Sequence, residues 1–286
     1  MNQKESVIDM KVLETKNRII DAKPFQLFTH DERVSNYQEN LVIWSKEHLK
    51  TEALIYQFQT LETIETEYLP DACVNLLFEI RKTNVIGKFF GIFTEAKKMV
   101  FEPNILYFGI KPYTNVGLCC KEQNQNKFVN QVVDLTNQFT NTENFLQELG
   151  HKSTFQERRD LLYKHRSLFL DENRRSVLAE YLSVLLCTET TAFSMEKIAR
   201  ETGYSKRYAQ RVFQKKIGVS PKLYSRIIRF QNAIKAVYFE YDSTLAKVAC
   251  QLGYYDQAHL IHEFQLFTQT SPTKLLQTIQ REKAVV

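Results

Sequence analysis

SMEKIARETGYSKRYAQRVFQKKIGVSP, residues 194–221, and LAKVACQLGYYDQAHLIHEFQLFTQTSP, residues 245–272, are two versions of one pattern. Ile198-Ala199, Gly203-Tyr204, Arg211, Phe213 and Ser220-Pro221 in the first copy become Val248-Ala249, Gly253-Tyr254, His262, Phe264 and Ser271-Pro272 in the second. The offset grows from 50 residues before the turn to 51 after it, so the second turn is one residue longer. An internal repeat of this period is the first thing to read in a chain, because it defines a structural unit. Each unit predicts helix, short glycine-containing turn, helix, which is the helix-turn-helix plan.

In the first copy Ser194 is placed to cap a helix whose inner stripe is Met195, Ile198, Ala199 and Thr202, at i, i+3, i+4 and i+7. Gly203 supplies a turn that needs positive φ. Ser205 caps the next helix, where Ala209, Val212 and Phe213 face inward. Lys206, Arg207, Gln210, Arg211 and Gln214 share the opposite face. Arg and Gln are the side chains that read guanine and adenine through paired hydrogen bonds in the major groove. Gly218 ends the helix, and Ser220-Pro221 caps and starts the one after it. In the second copy Leu245, Val248, Ala249 and Leu252 form the inner stripe of the first helix. Leu260, Phe264 and Phe267 are the inner residues of a helix over 257–268, with Gln257, Ala258, Ile261 and His262 outward. Two unrelated amphipathic helix pairs would leave the shared Ser-Pro exit unexplained.

With those residues in view, 190–280 resembles the C-terminal DNA-binding domain of the AraC/XylS family of bacterial transcription regulators. The likeness is carried by Ser205, Arg207, Ala209 (usually Leu in the family), Arg211, Phe213, Gly218, Ser220, Pro221, Tyr224, Arg229 and Ala233. In the second copy Ala249, Gly253, Tyr254, Asp256, Gln257, Phe264, Ser271 and Pro272 carry it. GYYDQAHLIHEF is its most diagnostic stretch. The departures are His262 in place of the usual Arg, Gln265 where Lys is common, and Gln269 where Gly usually ends the helix. The resemblance implies a regulator, activator or repressor, with double-stranded DNA and RNA polymerase as partners and a small-molecule effector.

Charge divides the chain. From Thr191 onward there are 15 Lys and Arg against 7 Asp and Glu, a net of +8; the remainder has 23 against 26, a net of −3. A basic block beside a near-neutral one fits a nucleic-acid footprint confined to one domain. At 43% hydrophobic, 286 residues make one large or two ordinary domains. No leader-like segment and no apolar run near 18 residues is present, so a cytoplasmic protein without a membrane partner is expected. Cys73, Cys119, Cys120, Cys187 and Cys250 are odd in number and lack CxxC spacing. Reduced core cysteines are the expected account, with a redox or thiophilic-metal role for Cys119-Cys120 as the alternative.

Upstream, short β-type runs rich in Val, Ile, Phe and Tyr are separated by turn signals: 41–45, 53–59, 73–80, 85–93, 98–101, 105–111 and 116–119. They predict a barrel or sandwich. The region is similar to the cupin-like barrel forming the sensor half of many AraC relatives, and LPDACVNLLFEI (69–80) and FGIKP (108–112) are similar to one particular sensor subtype. No His falls between Thr51 and Gly150, and His30, His48 and His151 stand apart, so a cupin metal site and its chemistry are not expected. No hydrolase, P-loop or dinucleotide fingerprint occurs either, so the chain reads as a non-enzyme with no cofactor. Trp44, Tyr56, Phe78, Phe89, Phe93, Tyr107 and Phe108 are candidates to line an effector pocket; the alternative is that they fill the core.

From Val132 the period is read as helical, with helices over 142–150, 154–169 and 171–187. They are expected either to dimerise or to cover the open face of the β region. The whole is an α+β chain. Residues 1–140 are a mainly-β sensor, 141–189 a helical connector, and 190–286 an all-α domain with two helix-turn-helix motifs, joined by a short linker at 188–193. Base reading is expected from Arg207, Gln210, Arg211, Gln257, Ala258, Ile261 and His262. Phosphate contacts are expected from Arg200, Lys206, Lys215, Lys216 and Arg226. The rival reading is a ligand- or redox-sensing protein acting through protein partners with little DNA binding; the uncharged outer face of the second copy supports it.

Overall fold

The computed structural model describes residues 23–46, 49–112, 117–171, 174, 176–188, 194–239 and 244–275, with only the backbone for 43–46 and 49–52. The chain is α+β: among the described residues eight strands come first and helices follow. The strands are β1 (Val34–Lys46), β2 (Leu49–Thr60), β3 (Ile64–Tyr68), β4 (Asn75–Ile80), β5 (Val85–Phe90), β6 (Lys97–Phe101), β7 (Leu106–Pro112) and β8 (Val132–Asp134). Six form one antiparallel sheet in the order β1-β2-β7-β4-β5-β8, and β3 pairs with β6 in a second sheet.

Alternate residues of the central strands enter two different cores, which is why these strands read as nearly continuous apolar runs rather than as alternation. On one face Tyr56 and Phe58 of β2, Leu77 of β4, Phe90 of β5 and Tyr107 of β7 pack beneath the small sheet, with Phe28, Tyr68 and Phe101. On the other, Ile55, Leu76, Phe78, Phe89, Phe108 and Ile110 meet the helices that follow. Those are α1 (Leu135–Gln138), α2 (Glu143–Gly150) and α3 (Phe155–Lys164). Phe139, Phe145, Leu149, Leu161 and Leu162 are their contribution, so the apolar sides of α2 and α3 are taken up by the sheet. Each fully buried Phe is worth about 1.5–3 kcal/mol of transfer free energy.

A third core belongs to the later helices: α4 (Val177–Thr188), α5 (Met195–Thr202), α6 (Lys206–Ile217), α7 (Pro221–Phe239), α8 (Leu245–Gln251) and α9 (Gln257–Thr268). Leu178, Leu182, Leu185 and Leu186 of α4 are buried in it with Phe213, Ile227, Phe230 and Phe264. Phe25, Leu69, Ala72 and Ile92 of the β-rich half enter the same cluster. The two halves therefore share an apolar seam.

Several local expectations change. Residues 132–134, expected to open a helix, form β8 on the edge beside β5, with Phe90 opposite Val132. The helix begins just after, where Asp134 accepts the Thr136 N–H as its cap. The 154–169 helix stops at Lys164 and continues as a 3-10 turn over Arg166–Leu168. Its start is secured by a full capping box between Thr154 and Glu157. The run at 116–119 shows no strand among its described residues, only an isolated bridge from Leu118 to Leu170. β3 was not foreseen: its two charged residues mask a strand of which only the ends, Ile64 and Tyr68, are buried. The linker at 188–193 lies outside the described residues after Thr188.

Gly91 marks the tightest backbone approach in the β-rich half. A Cβ there would lie 1.9 Å from the Phe128 carbonyl oxygen, while the Gly91 N–H donates to Gln131 O at 3.1 Å. Neither backbone segment can yield without breaking that bond. Gly91→Ala is expected to destabilise the chain by about 1–3 kcal/mol. Denaturant unfolding checks this, with a drop in midpoint at unchanged slope as the expected form.

Candidate nucleic-acid interface

The first helix-turn-helix begins at Ser194, whose hydroxyl accepts the Lys197 N–H. Helix α5 ends at Gly203, which sits in the left-handed region at φ 67°, and Ser205 then caps α6 by accepting from Tyr208 N–H. Ala209, Phe213 and Ile217 turn inward and are buried. Phe213 meets Tyr224 of α7 edge-on at 5.4 Å between ring centres. Lys206, Arg207, Gln210, Arg211 and Gln214 are all exposed along the opposite side. Gly218 closes α6 at φ 108°, and the Ser220 hydroxyl accepts the Leu223 N–H to start α7.

The second unit repeats the design. Thr244 caps α8, Gly253 turns at φ 69°, and Asp256 caps α9 by accepting His259 N–H at 2.7 Å. Phe264 and Phe267 pack on Phe230 of α7 at 5.2 and 5.0 Å. Gln257, Ala258 and His262 are exposed, whereas Ile261 is half-buried against the helical core, so it is only partly available to a partner. Helix α7 joins the units; its 19 residues span roughly 28 Å, near the ~34 Å repeat of B-DNA.

The predicted phosphate contacts separate into groups. Arg200 and Lys215 are exposed. Lys206 is exposed but forms an ion pair with Glu196 of α5, and that cation holds the Glu196 carboxyl down at about 2. Lys216 is half-buried and donates to the Arg174 carbonyl at 3.0 Å. Arg226 does not face outward as expected. Its Nη2 lies 2.6 Å from Glu263 Oε1 and its Nε donates to the same carboxylate at 2.9 Å. Glu263 is 4% exposed and sits on the inner side of α9. A carboxylate so buried requires cations, and Arg229, with an N···O distance of 3.8 Å, is the second. Arg226 thus ties α7 to α9.

Two aromatic residues escaped the reading of charge and amide patterns. Tyr208 is exposed, stacks on Tyr204 at 5.0 Å and carries the Arg211 guanidinium over its ring at 5.5 Å. The i, i+3 spacing of Tyr208 and Arg211 is the signal that would have placed it. Tyr255 is 92% exposed on the turn leading into α9, and its N–H donates to His259 Nδ1 at 3.2 Å. That bond makes Nδ1 an acceptor and leaves Nε2 to carry the ring's proton in the neutral form.

The expected effector lining does not come together. Tyr56 and Tyr107 belong to the core beneath the small sheet, Phe78 and Phe89 to the core on the opposite face. Residues on opposite faces of one sheet cannot line a common pocket. Phe93 joins the first core and Phe108 the second, and the Trp44 side chain lies outside the described residues. A cavity of about 430 Å³ instead lies where the β-rich half meets the C-terminal end of α9, with His30, Glu65, Glu67, Tyr238, Thr268 and Lys274 in its wall. Four of the five thiols are poorly suited to redox chemistry. Burial pushes Cys119 and Cys187 up to about 11 and raises Cys73 and Cys120, so thiolate, the reactive form, is suppressed near neutral pH. Among the described residues no group of three or more His, Cys, Asp or Glu could hold a metal, and no helix is long and apolar enough to cross a membrane.

A family model described as "Helix-turn-helix domain" matches residues 198–278. This segment is a helix-turn-helix domain of the AraC type. No curated protein matches the chain. Similar solved structures include the DNA-binding domain of AdpA, a global transcriptional factor, in complex with a target DNA. It is 21% identical, covers 37% of this chain and 96% of that one, and has a TM-score of 0.34. ToxT from Vibrio cholerae O395 bound to (E)-4-(8-methylnaphthalen-1-yl)but-3-enoic acid is 10% identical over 86% of this chain and 100% of that one, at a TM-score of 0.42. ToxT from Vibrio cholerae strain SCE256 with an unsaturated fatty acid is 12% identical over 82% and 97%, at 0.37.

Arg226→Ala is expected to cost about 3 kcal/mol of stability, because it strips the main cation from a buried carboxylate. Thermal unfolding without DNA measures this; an exposed residue would show almost no change. Gln269 closes α9 at φ 57°, where a side chain is disfavoured. Gln269→Gly is expected to stabilise the chain by about 1 kcal/mol, read in the same assay.

Proposed function

We propose that the chain is a DNA-binding transcription regulator that presents α6 and α9 to successive major grooves on one side of the duplex. The observation that carries this reading is the exposed stripe Lys206, Arg207, Gln210, Arg211 and Gln214 on the second helix of a capped helix-turn-helix. Its guanidinium and amide groups are those that pair with base edges, and the ammonium group of Lys215 just beyond it is placed to meet phosphate. Arg211 is pre-oriented on Tyr208. The ordered stack reduces the side-chain entropy lost when the fork engages a base.

The two units are unequal partners for DNA. The first carries Lys206, Arg207, Arg211, Lys215 and Lys216 on or near α6. The second has no Lys or Arg between Lys247 and Lys274 and adds Asp256 and Glu263, the latter already neutralised by Arg226. Sequence-independent affinity follows the number of phosphates neutralised, so α6 supplies most of it. Helix α9 adds the Gln257 amide, His262 and an Ala258 methyl. A regulator built this way reads one half-site strictly and the other loosely.

The test is a binding titration on an operator selected from random duplex DNA, at fixed salt. Arg211→Ala is expected to weaken the operator by about 1–3 kcal/mol and to relax base preference at one position. Scrambling the half-site beneath α6 is expected to cost more than scrambling the one beneath α9. Equal losses would overturn the asymmetry, and unchanged affinity of a folded Arg211→Ala chain would overturn the assignment of α6 as a base-reading helix. Binding only to protein partners, with no sequence preference on DNA, would favour the rival reading.

A further inference from the structure

The carboxyl ends of both recognition helices are held by the β-rich half. At the end of α6, Asn126 donates its side-chain amide to the Gly218 carbonyl at 2.7 Å. At the end of α9, the backbone N–H of Ala96 donates to the Phe267 carbonyl at 2.7 Å. Between them, in the middle of the connecting helix α7, Gln231 is 4% exposed and its amide is fully engaged. Its Oε1 accepts from Phe25 N–H at 2.7 Å, and its Nε2 donates to Pro70 O at 2.7 Å and to Phe25 O at 3.3 Å. Three points on the two-unit array, the carboxyl ends of α6 and α9 and the middle of α7, are thus hydrogen-bonded to the other half of the chain.

The two end clamps are also fastened to each other. Asn126 lies in the turn Gln125–Phe128, and Ala96 in the connection between β5 and β6. Asn130, at φ 60°, bridges them. Its side-chain oxygen accepts Thr94 N–H at 2.8 Å, its amide donates to Thr94 Oγ1 at 2.9 Å, and its own N–H donates to Ile92 O at 3.0 Å. Gly218 fits this arrangement as well as ending α6, because a Cβ there would stand 3.0 Å from the Gln125 carbonyl oxygen. Apolar packing between helices tolerates sliding and small rotations, whereas short hydrogen bonds at both ends of a span fix distance and angle.

We propose that Asn126, Asn130 and Gln231 are positioning residues through which the β-rich half sets the separation of α6 and α9, and with it the half-site spacing the protein selects. This rests on the DNA-binding reading above. Two linked contacts reinforce each other only when the geometry lets both form, so a rigid span selects one spacing and a loose one accepts several.

Two measurements on the full chain test this. The first places spin labels through bio-orthogonal side chains at Gln214 and Gln265, both exposed, and records their distance distribution without DNA. The unsubstituted chain is expected to give one narrow peak. Gln231→Met, which keeps volume but loses the amide, Asn126→Ala, and Asn130→Gly, which keeps the positive φ, are each expected to broaden it. The second titrates duplexes whose half-sites are moved by one base pair in either direction. The unsubstituted chain is expected to prefer one spacing by about tenfold, and the variants to reduce that preference to about threefold or less. A distribution as narrow in all folded variants as in the parent would overturn the clamp, whatever the DNA result. A narrow peak that broadens in the variants while spacing preference is unchanged would overturn its role in site selection. Absence of any sequence-specific binding by the parent would overturn the DNA reading, and the distance distributions would still decide the clamp. If Gln231→Met fails to fold, Asn126→Ala and Asn130→Gly, at an exposed and a half-buried position, carry both measurements.

Discussion

Phe230 and Gln231 are neighbours on α7 that face different parts of the molecule. Phe230 is the apolar surface on which Phe264 and Phe267 rest, so it holds the second helix-turn-helix unit to the connecting helix. Gln231, one step of about 100° further round the helix, turns its amide to the backbone at Phe25 and Pro70. Remove the first contact and α9 loses its seat; remove the second and the middle of α7 loses its hydrogen bonds to the β-rich half. The rest of the architecture hangs on this pair of directions.

The charges of the helical half are partly committed inside it. The Glu196–Lys206 pair stitches α5 to the start of α6 across the turn, and the Arg226–Glu263 pair stitches α7 to α9. The exposed pair contributes little stability, because water screens both partners. The buried carboxylate of Glu263, by contrast, would be costly without Arg226 and Arg229 beside it. A net of +8 beyond Thr191 therefore overstates the cation available to DNA, and concentrates what is available on α6. The contrast between a basic first unit and a neutral second one survives in three dimensions.

In the β-rich half the organising constraint is burial of both faces of one sheet. That forces Tyr56 and Phe78, or Tyr107 and Phe89, into separate cores although they belong to one small set of strands. A list of aromatic residues from such strands describes two interiors, and a pocket has to be sought where elements meet. The cavity beside His30 and Tyr238 lies at such a meeting, between the first turn of the β-rich half and the last turn of α9.

Much was legible from local signals. Gly203 and Gly253 at positive φ, and Ser194, Ser205 and Ser220 as caps, stand where the sequence placed them, because capping and left-handed turns depend on a few adjacent atoms. The inner and outer faces of α6 also follow from the helical period. Residues 132–134 did not declare themselves, since a three-residue edge strand has no period of its own and forms only because β5 offers a partner. Nor did Arg226, which is outward by its charge and inward by its neighbour. Its partner Glu263 lies 37 residues away, and no local pattern couples them. The sequence alone determined two helix-turn-helix units, the caps of the first and the basic stripe on it. Only tertiary structure decided which cations stay available, which core each aromatic enters, and how the β-rich half grips α6 and α9, because each depends on contacts between residues far apart in the chain.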